Sequence, residues 1–141
     1  MEISATFAPE KRDLDALRMG MRSYELSVFP GRPGEEEDRP VAAFVRDIHG
    51  GVQGGIEANI YWDGVEIKLL WITEAYRKRG LGSRLLAEIE TIARSKGAVV
   101  GFLKTVAARE FYERNGYEVY GVLEDRPIGS KLFHMKKRLD R

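Results

Sequence analysis

The segment Arg77-Lys78-Arg79-Gly80-Leu81-Gly82-Ser83-Arg84 lies between an apolar stretch that ends near Thr73 and an amphipathic stretch that begins at Leu81. Its two glycines let the backbone approach a ligand closely, and the first N–H groups of a helix lack partners within the helix. The helix dipole adds about half a positive charge at the same point. Four basic side chains within these eight residues reinforce it. The segment therefore predicts an anion site at a helix N-terminus.

Two nucleotide-binding motifs are excluded in this segment. The chain contains no Gly-Lys pair and so has no Walker loop, and a dinucleotide fingerprint would need a third glycine where Leu85 stands. Two other interpretations stay open. One is a capped helix with a solvated basic turn, and the other is nucleic-acid binding through the four basic residues, which would weaken steeply with salt.

Outward from this segment, hydrophobic spacing predicts a mixed α/β sheet. Strands are expected over residues 2–7, 41–47, 52–62, 65–73, 98–103, 117–123 and 131–137, and helices over residues 9–29, 81–96 and 107–115. Asp63-Gly64 predicts a two-residue hairpin turn. Residues 30–40, with three prolines and the acidic run Glu35–Asp38, are expected to form an exposed, mobile loop.

Composition narrows the class of protein. A chain of 141 residues with 43% apolar residues favours one globular domain. Its net charge of +1 disfavours a general nucleic-acid binder, and it lacks the apolar run of a membrane span. Cysteine is absent and only two histidines are present, so we expect no disulfide and no metal site. With no secretory signal visible, we expect a cytoplasmic protein.

Two motifs resemble those of a known family, the GNAT N-acetyltransferases. Arg77-x-x-Gly80-x-Gly82 after a strand resembles their acetyl-CoA signature, motif A, here about residues 65–96. The run from Ala108 to Tyr117, with Phe-Tyr-Glu at 111–113 and glycine at 116, resembles their motif B, about residues 98–123. The resemblance implies one GNAT domain over residues 1–141, of the small bacterial branch. It also implies a mostly antiparallel sheet of six to seven strands flanked by helices.

The resemblance further implies an activity and a cofactor site. A primary amine would attack the thioester of acetyl-CoA directly in a ternary complex, which suits a chain without cysteine. The backbone at Trp71 and Ile72 would hold the thioester carbonyl, and Thr105 stands where many members have asparagine. The cofactor-binding residues expected on this basis are Trp71, Ile72, Arg77, Lys78, Arg79, Gly80, Leu81, Gly82, Ser83 and Thr105.

Two residues are the expected catalytic groups. Tyr112 would protonate the departing thiolate, since a phenol is not ionised at neutral pH. Glu66 would accept the proton of the incoming ammonium. Each has a structural alternative: Tyr112 as a core aromatic beside Phe111, and Glu66 as the ion-pair partner of Lys68.

The acceptor is expected to be a small-molecule or peptide amine. The acidic run Glu35–Asp38 could attract a cationic acceptor, and Glu57, Asn59 and Tyr61 are weaker candidates for holding it. The C-terminal strands could pair in a homodimer. The competing function is a non-catalytic acyl-CoA-binding sensor of the same fold.

Overall fold

A computed structural model describes residues 1–34 and 37–141, which form two compact units, Met1–Pro33 and Gly34–Arg141. The first unit contains helix α1 (Lys11–Val28), in which no residue is buried. The strand predicted over residues 2–7 is wrong, because this segment has no regular structure and both Ile3 and Phe7 are exposed. Alternating apolar residues form a strand only where a neighbouring strand can take their backbone hydrogen bonds, and no described strand pairs here.

The second unit is a six-stranded sheet with helices. Its strands are β1 (Arg39–Arg46), β2 (Val52–Tyr61), β3 (Gly64–Ile72), β4 (Val100–Thr105), β5 (Glu118–Glu124) and β6 (Lys131–Arg138); its helices are α2 (Leu81–Ser95) and α3 (Arg109–Arg114), with a 3-10 turn at Glu74–Tyr76. The order of the described strands is β1-β2-β3-β4-β6-β5, and among them only β3 and β4 run parallel. This confirms the predicted mixed, mostly antiparallel sheet. Of the predicted loop 30–40, Glu35 and Glu36 lie outside the described residues.

The hairpin between β2 and β3 turns one residue earlier than predicted. Trp62 and Asp63 are the two turn residues, with φ values of 49° and 61°, and Gly64 already pairs with Tyr61. Gly64 instead allows β4 to pack closely, because a Cβ there would lie 3.3 Å from the Val100 carbonyl oxygen.

One face of the sheet packs against α2. Leu86, Ile89 and Ala93 of α2 lie in one buried cluster with the β2 and β3 side chains Ile56, Ala58, Ile60, Val65 and Ile67. The predicted inward stripes of β2 and α2 are thus confirmed, apart from Trp62, which is in the turn and exposed. Each large aliphatic side chain buried here contributes about 1.5–3 kcal/mol. The opposite face of β2 carries the polar residues.

β3 and β4 pair only at their first residues. Gly64–Glu66 match Val100–Phe102, and beyond that point the two strands continue without pairing. β3 also contains a β-bulge, because Leu69 pairs with Glu57 and Ile67 pairs with Ala58 of β2, which leaves Lys68 unmatched. A bulge reverses the alternation of a strand. Before it the odd-numbered residues are buried, whereas after it Leu69 and Trp71 are exposed.

A buried polar network ties α2 to the C-terminal part of the sheet. Glu90, 4% exposed, accepts a hydrogen bond from the Tyr117 hydroxyl at 2.9 Å and another from Lys137 Nζ at 2.9 Å. Lys137 Nζ also donates to the Asn115 carbonyl at the end of α3. Burial and the Glu90 carboxylate raise the pKa of Tyr117 far above its usual range, so this phenol stays protonated.

We expect Glu90→Ala to lower the free energy of unfolding by about 3 kcal/mol, because it leaves Lys137 and Tyr117 without their shared partner. Glu88→Ala, an exposed position on the same helix, should change it by less than about 0.5 kcal/mol. Urea unfolding followed by circular dichroism measures both. Equal effects of the two substitutions would contradict the stabilising role of the network.

Candidate active site

The segment from Arg77 to Gly82 exposes backbone N–H groups at the start of α2. Lys78 and Gly80 both have positive φ, 62° and 75°. The first helical hydrogen bond runs from the Arg84 N–H to the Gly80 carbonyl at 3.1 Å, and no side chain caps the helix. The N–H groups of the first turn, at Leu81, Gly82 and Ser83, therefore have no helical partner. The anion site stays a prediction, and these N–H groups are the donors that it would use.

Two arginines of the segment are held by carbonyl groups of the chain before it. Arg77 Nε donates to the Ile72 carbonyl at 2.8 Å, which fixes the loop against the end of β3. Arg79 donates to the Ala75 carbonyl at 3.3 Å and lies over the Tyr76 ring, 5.2 Å from its centroid. Arg79 is thereby directed towards the 3-10 turn.

A first cavity of about 620 Å³ lies between this loop, the end of β3 and α3. Its lining includes eight of the ten predicted cofactor-binding residues: Trp71, Ile72, Arg77, Lys78, Gly80, Leu81, Gly82 and Ser83. Arg79 and Thr105 do not line it. Gly82 brings the start of α2 close to α3, because a Cβ there would lie 3.2 Å from the Phe111 ring.

The free edge of β3 faces the space left by β4. The Thr73 N–H donates to the Gln53 carbonyl on the β2 side, whereas the Ile72 carbonyl turns away from β2 to Arg77. Backbone groups alternate in direction along a strand, so the N–H groups of Ile72 and Leu70 point towards the separated strands and that of Trp71 points towards β2. Of the two backbone positions predicted to hold a carbonyl, Ile72 has the suitable direction.

A second cavity of about 590 Å³ lies on the other side of the separated strands. Residues 67–70 of β3 and residues 104–106 line it, together with Ala108, Tyr112, Arg126, Pro127 and Leu132. Thr105 belongs to this lining, and its hydroxyl accepts a hydrogen bond from the Ala108 N–H at 3.1 Å. The two cavities share Leu70, Ala108 and Tyr112.

Tyr112 lies where the two cavities meet. Its ring is 6% exposed and packs edge-on against Phe111 at 5.0 Å and Tyr117 at 5.8 Å. Its hydroxyl makes no hydrogen bond to any residue that the structure describes. Burial raises the pKa of this phenol above its usual value, so Tyr112 is protonated at neutral pH. A core aromatic and a proton donor are therefore compatible descriptions of the same residue.

Glu66 lies apart from Tyr112, at the last paired position of β3 beside Phe102. It lines neither of the two cavities, and the Tyr61 hydroxyl lies 3.4 Å from its Oε1. Desolvation, together with this carboxylate, raises the pKa of Tyr61. Within residues 1–34 and 37–141, Glu66 makes no ion pair with Lys68, because the bulge interrupts the alternation that would place them side by side.

The sequence did not indicate that Lys104 and Arg126 join Lys68 in the second cavity. The alternation of buried and exposed residues along β4 could have predicted that Lys104 points away from the core. Arg126 lies in the loop between β5 and β6, and its position beside the cavity becomes visible only in the folded hairpin.

In the described part of the chain, no three acidic or histidine side chains are grouped to hold a metal ion. No described helix has the length and hydropathy to cross a membrane.

Comparison with known proteins assigns the family. Residues 39–119 match the acetyltransferase (GNAT) domain. The chain is 29% identical to an acetyltransferase of Agrobacterium fabrum over 87% of this chain and 88% of that protein. It is 32% identical to blasticidin-S acetyltransferase of Streptomyces morookaense over 73% of this chain and 80% of that protein. A crystal structure of an acetyltransferase from Bacillus cereus superimposes with a TM-score of 0.82 at 30% identity, covering 96% of this chain and 97% of that one.

The chain therefore belongs to the GNAT acetyltransferase family, as the two motifs predicted. The matched region contains both the loop at the start of α2 and Tyr112.

Two tyrosines in one aromatic cluster should respond differently to loss of the hydroxyl. We expect Tyr112→Phe to change the free energy of unfolding by less than about 0.5 kcal/mol, since that hydroxyl has no partner among the described residues. Tyr117→Phe should lower it by about 1–3 kcal/mol, because Glu90 loses a buried hydrogen bond. Chemical denaturation measures both, and a large loss for Tyr112→Phe would show that its hydroxyl is a structural group.

Proposed function

We propose that this protein transfers the acetyl group of acetyl-CoA to a primary amine of a small molecule by direct attack in a ternary complex. One observation supports the proposal: a cavity beside the loop at the start of α2 meets a second cavity at the buried Tyr112, whose hydroxyl has no hydrogen-bond partner among the described residues. One cavity then suits the cofactor and the other suits the acceptor. The name of the blasticidin-S acetyltransferase supports a small-molecule acceptor.

The first cavity supports binding of the cofactor through backbone groups. The free N–H groups at Leu81, Gly82 and Ser83, with the helix dipole, suit the pyrophosphate. The Ile72 N–H suits the thioester carbonyl, where it would stabilise the negative charge that develops on the oxygen. Arg79 and Thr105 stay predicted cofactor residues although neither lines the first cavity. Arg79 would act through its charge near the loop, and Thr105, which lines the second cavity, through its hydroxyl proton at the junction of the two cavities.

In the proposed reaction the amine nitrogen attacks the thioester carbon and the C–S bond then breaks. Tyr112 supplies the proton that the departing sulfur takes up, a role suited to a phenol that burial keeps protonated. Glu66 accepts the ammonium proton. Since it lies outside both cavities, the proton would reach its carboxylate through a water relay.

The first experiment is a thermal-shift comparison of acetyl-CoA, CoA, ATP and NAD. A ligand at a hundred times its dissociation constant adds about 2.7 kcal/mol to the stability of the folded state. We expect stabilisation by the two CoA species alone. A sensor domain would give the same shifts without turnover, so release of CoA thiol in the presence of an amine panel distinguishes the enzyme from the sensor. No shift from either CoA species would overturn the proposed function.

We expect Gly80→Ala to weaken CoA binding roughly five- to thirtyfold, because it strains a left-handed residue of the loop before α2 by about 1–2 kcal/mol. Gly97→Ala is the matched control: Gly97 also has positive φ and open space around it, but it follows α2 at the opposite end. The two variants should lose similar stability while only the first loses affinity, as isothermal titration with CoA measures. Equal affinities of the two variants for CoA would exclude the loop before α2 as the binding site for the pyrophosphate.

We expect Tyr112→Phe to reduce kcat about 100-fold or more while the affinity for CoA stays the same. Glu66→Gln should reduce kcat most at low pH, where free amine is scarce and a proton acceptor is most needed. Steady-state kinetics over a pH range measures both effects. Full turnover in either variant would remove that residue's assigned role without affecting the cofactor site.

A further inference from the structure

The second cavity is basic. Lys68, Lys104 and Arg126 line it from three separate elements, namely β3, β4 and the loop between β5 and β6. In the described chain, no aspartate or glutamate lines this cavity, and none of the three cations makes an ion pair. Three cations around one cavity, with no ion-pair partner among residues 1–34 and 37–141, form a region of positive potential.

Two acidic residues close in sequence to these cations, Glu66 and Asp125, make other contacts, and Glu57 shares a separate cavity with Lys68. Glu66, two residues before Lys68, receives the contact from the Tyr61 hydroxyl. Asp125, next to Arg126, accepts a hydrogen bond from the Gly129 N–H at 3.0 Å within its own loop. Neither carboxylate lines the cavity, and neither forms an ion pair with Lys68, Lys104 or Arg126.

This charge places a condition on the acceptor. A simple alkyl ammonium entering the second cavity would be repelled by three like charges, and a diamine more strongly. An acceptor that carries an anionic group beside its amine would be attracted instead.

We propose that the acceptor is an anionic amine, with a carboxylate or phosphate bound by Lys68, Lys104 and Arg126 and its amine directed towards Tyr112. The inference rests on the proposed function and adds the substrate class. It makes the three cations specificity determinants. It differs from the alternative interpretation of the sequence, in which the acidic run Glu35–Asp38 attracts a cationic acceptor.

The test compares four amines of similar size: O-phosphoethanolamine, β-alanine, ethanolamine and putrescine. With acetyl-CoA saturating, we expect KM for at least one of the two anionic amines to be about tenfold or more below that for ethanolamine, with putrescine the poorest. The preference should shrink as salt is added. The first two amines distinguish phosphate from carboxylate.

Charge reversal tests the residues. Lys104→Glu should raise KM for the preferred anionic amine about tenfold and improve putrescine, whereas kcat changes little. Lys96→Glu, the same charge change at the exposed C-terminal end of α2, should leave both values within about twofold. Lys68→Gln and Arg126→Gln should each give a smaller loss in the same direction.

Three results would overturn the inference while CoA still stabilises the protein: equal KM values across the four amines, a preference for putrescine, or equal effects of Lys104→Glu and Lys96→Glu. A marked preference for succinyl-CoA over acetyl-CoA that Lys104→Glu abolishes would also overturn it, since the cations would then serve the acyl group. Thermal shifts by the four amines on the CoA-loaded protein provide a readout without turnover. Loss of the CoA shift itself would instead count against the proposed function.

Discussion

The site depends on the early end of pairing between β3 and β4. Two parallel strands that stayed hydrogen-bonded over their full length would leave no unpaired backbone and no space between them. Here pairing stops after Glu66 and Phe102. The N–H groups of Leu70 and Ile72 are left to face an opening, and a cavity forms on each side of it. The loop before α2 and the tyrosine of α3 are useful because this opening lies between them.

The rest of the second unit holds the two sides of the opening in place. α2 buries Leu86 and Ile89 on the sheet, which fixes the start of the helix and thus the direction of its free N–H groups. The network around Glu90 joins that helix to β6 and to the end of α3. The loop before α2 and Tyr112 are thereby fixed to the same sheet, although they lie about thirty residues apart in the sequence.

Much of this arrangement could be predicted from the sequence. The 3.6-residue spacing of Leu85, Ile89 and Ile92 predicted α2, and the glycines at 80 and 82 predicted the loop before it, because both signals are local. The strand over residues 2–7 could not be excluded, since strand formation depends on a partner elsewhere in the chain. The sequence placed the turn at Asp63-Gly64, one residue after its observed position at Trp62-Asp63. Gly64 is required by the close approach of β4 and not by the turn, and a glycine beside an aspartate looks the same in either case. The cations of the second cavity come from three elements, so their association emerges only from the fold.

The bulge at Lys68 has a consequence for how β3 can vary over evolution. On the N-terminal side of the bulge, odd-numbered positions such as Val65 and Ile67 are in the core, and on its C-terminal side Leu69 and Trp71 reach solvent. The first half of the strand is thus constrained by folding and the second half by what binds beside it. Substitutions at Leu69 and Trp71 can accumulate without damage to the core, so relatives can diverge in ligand preference along the same strand that preserves their common scaffold.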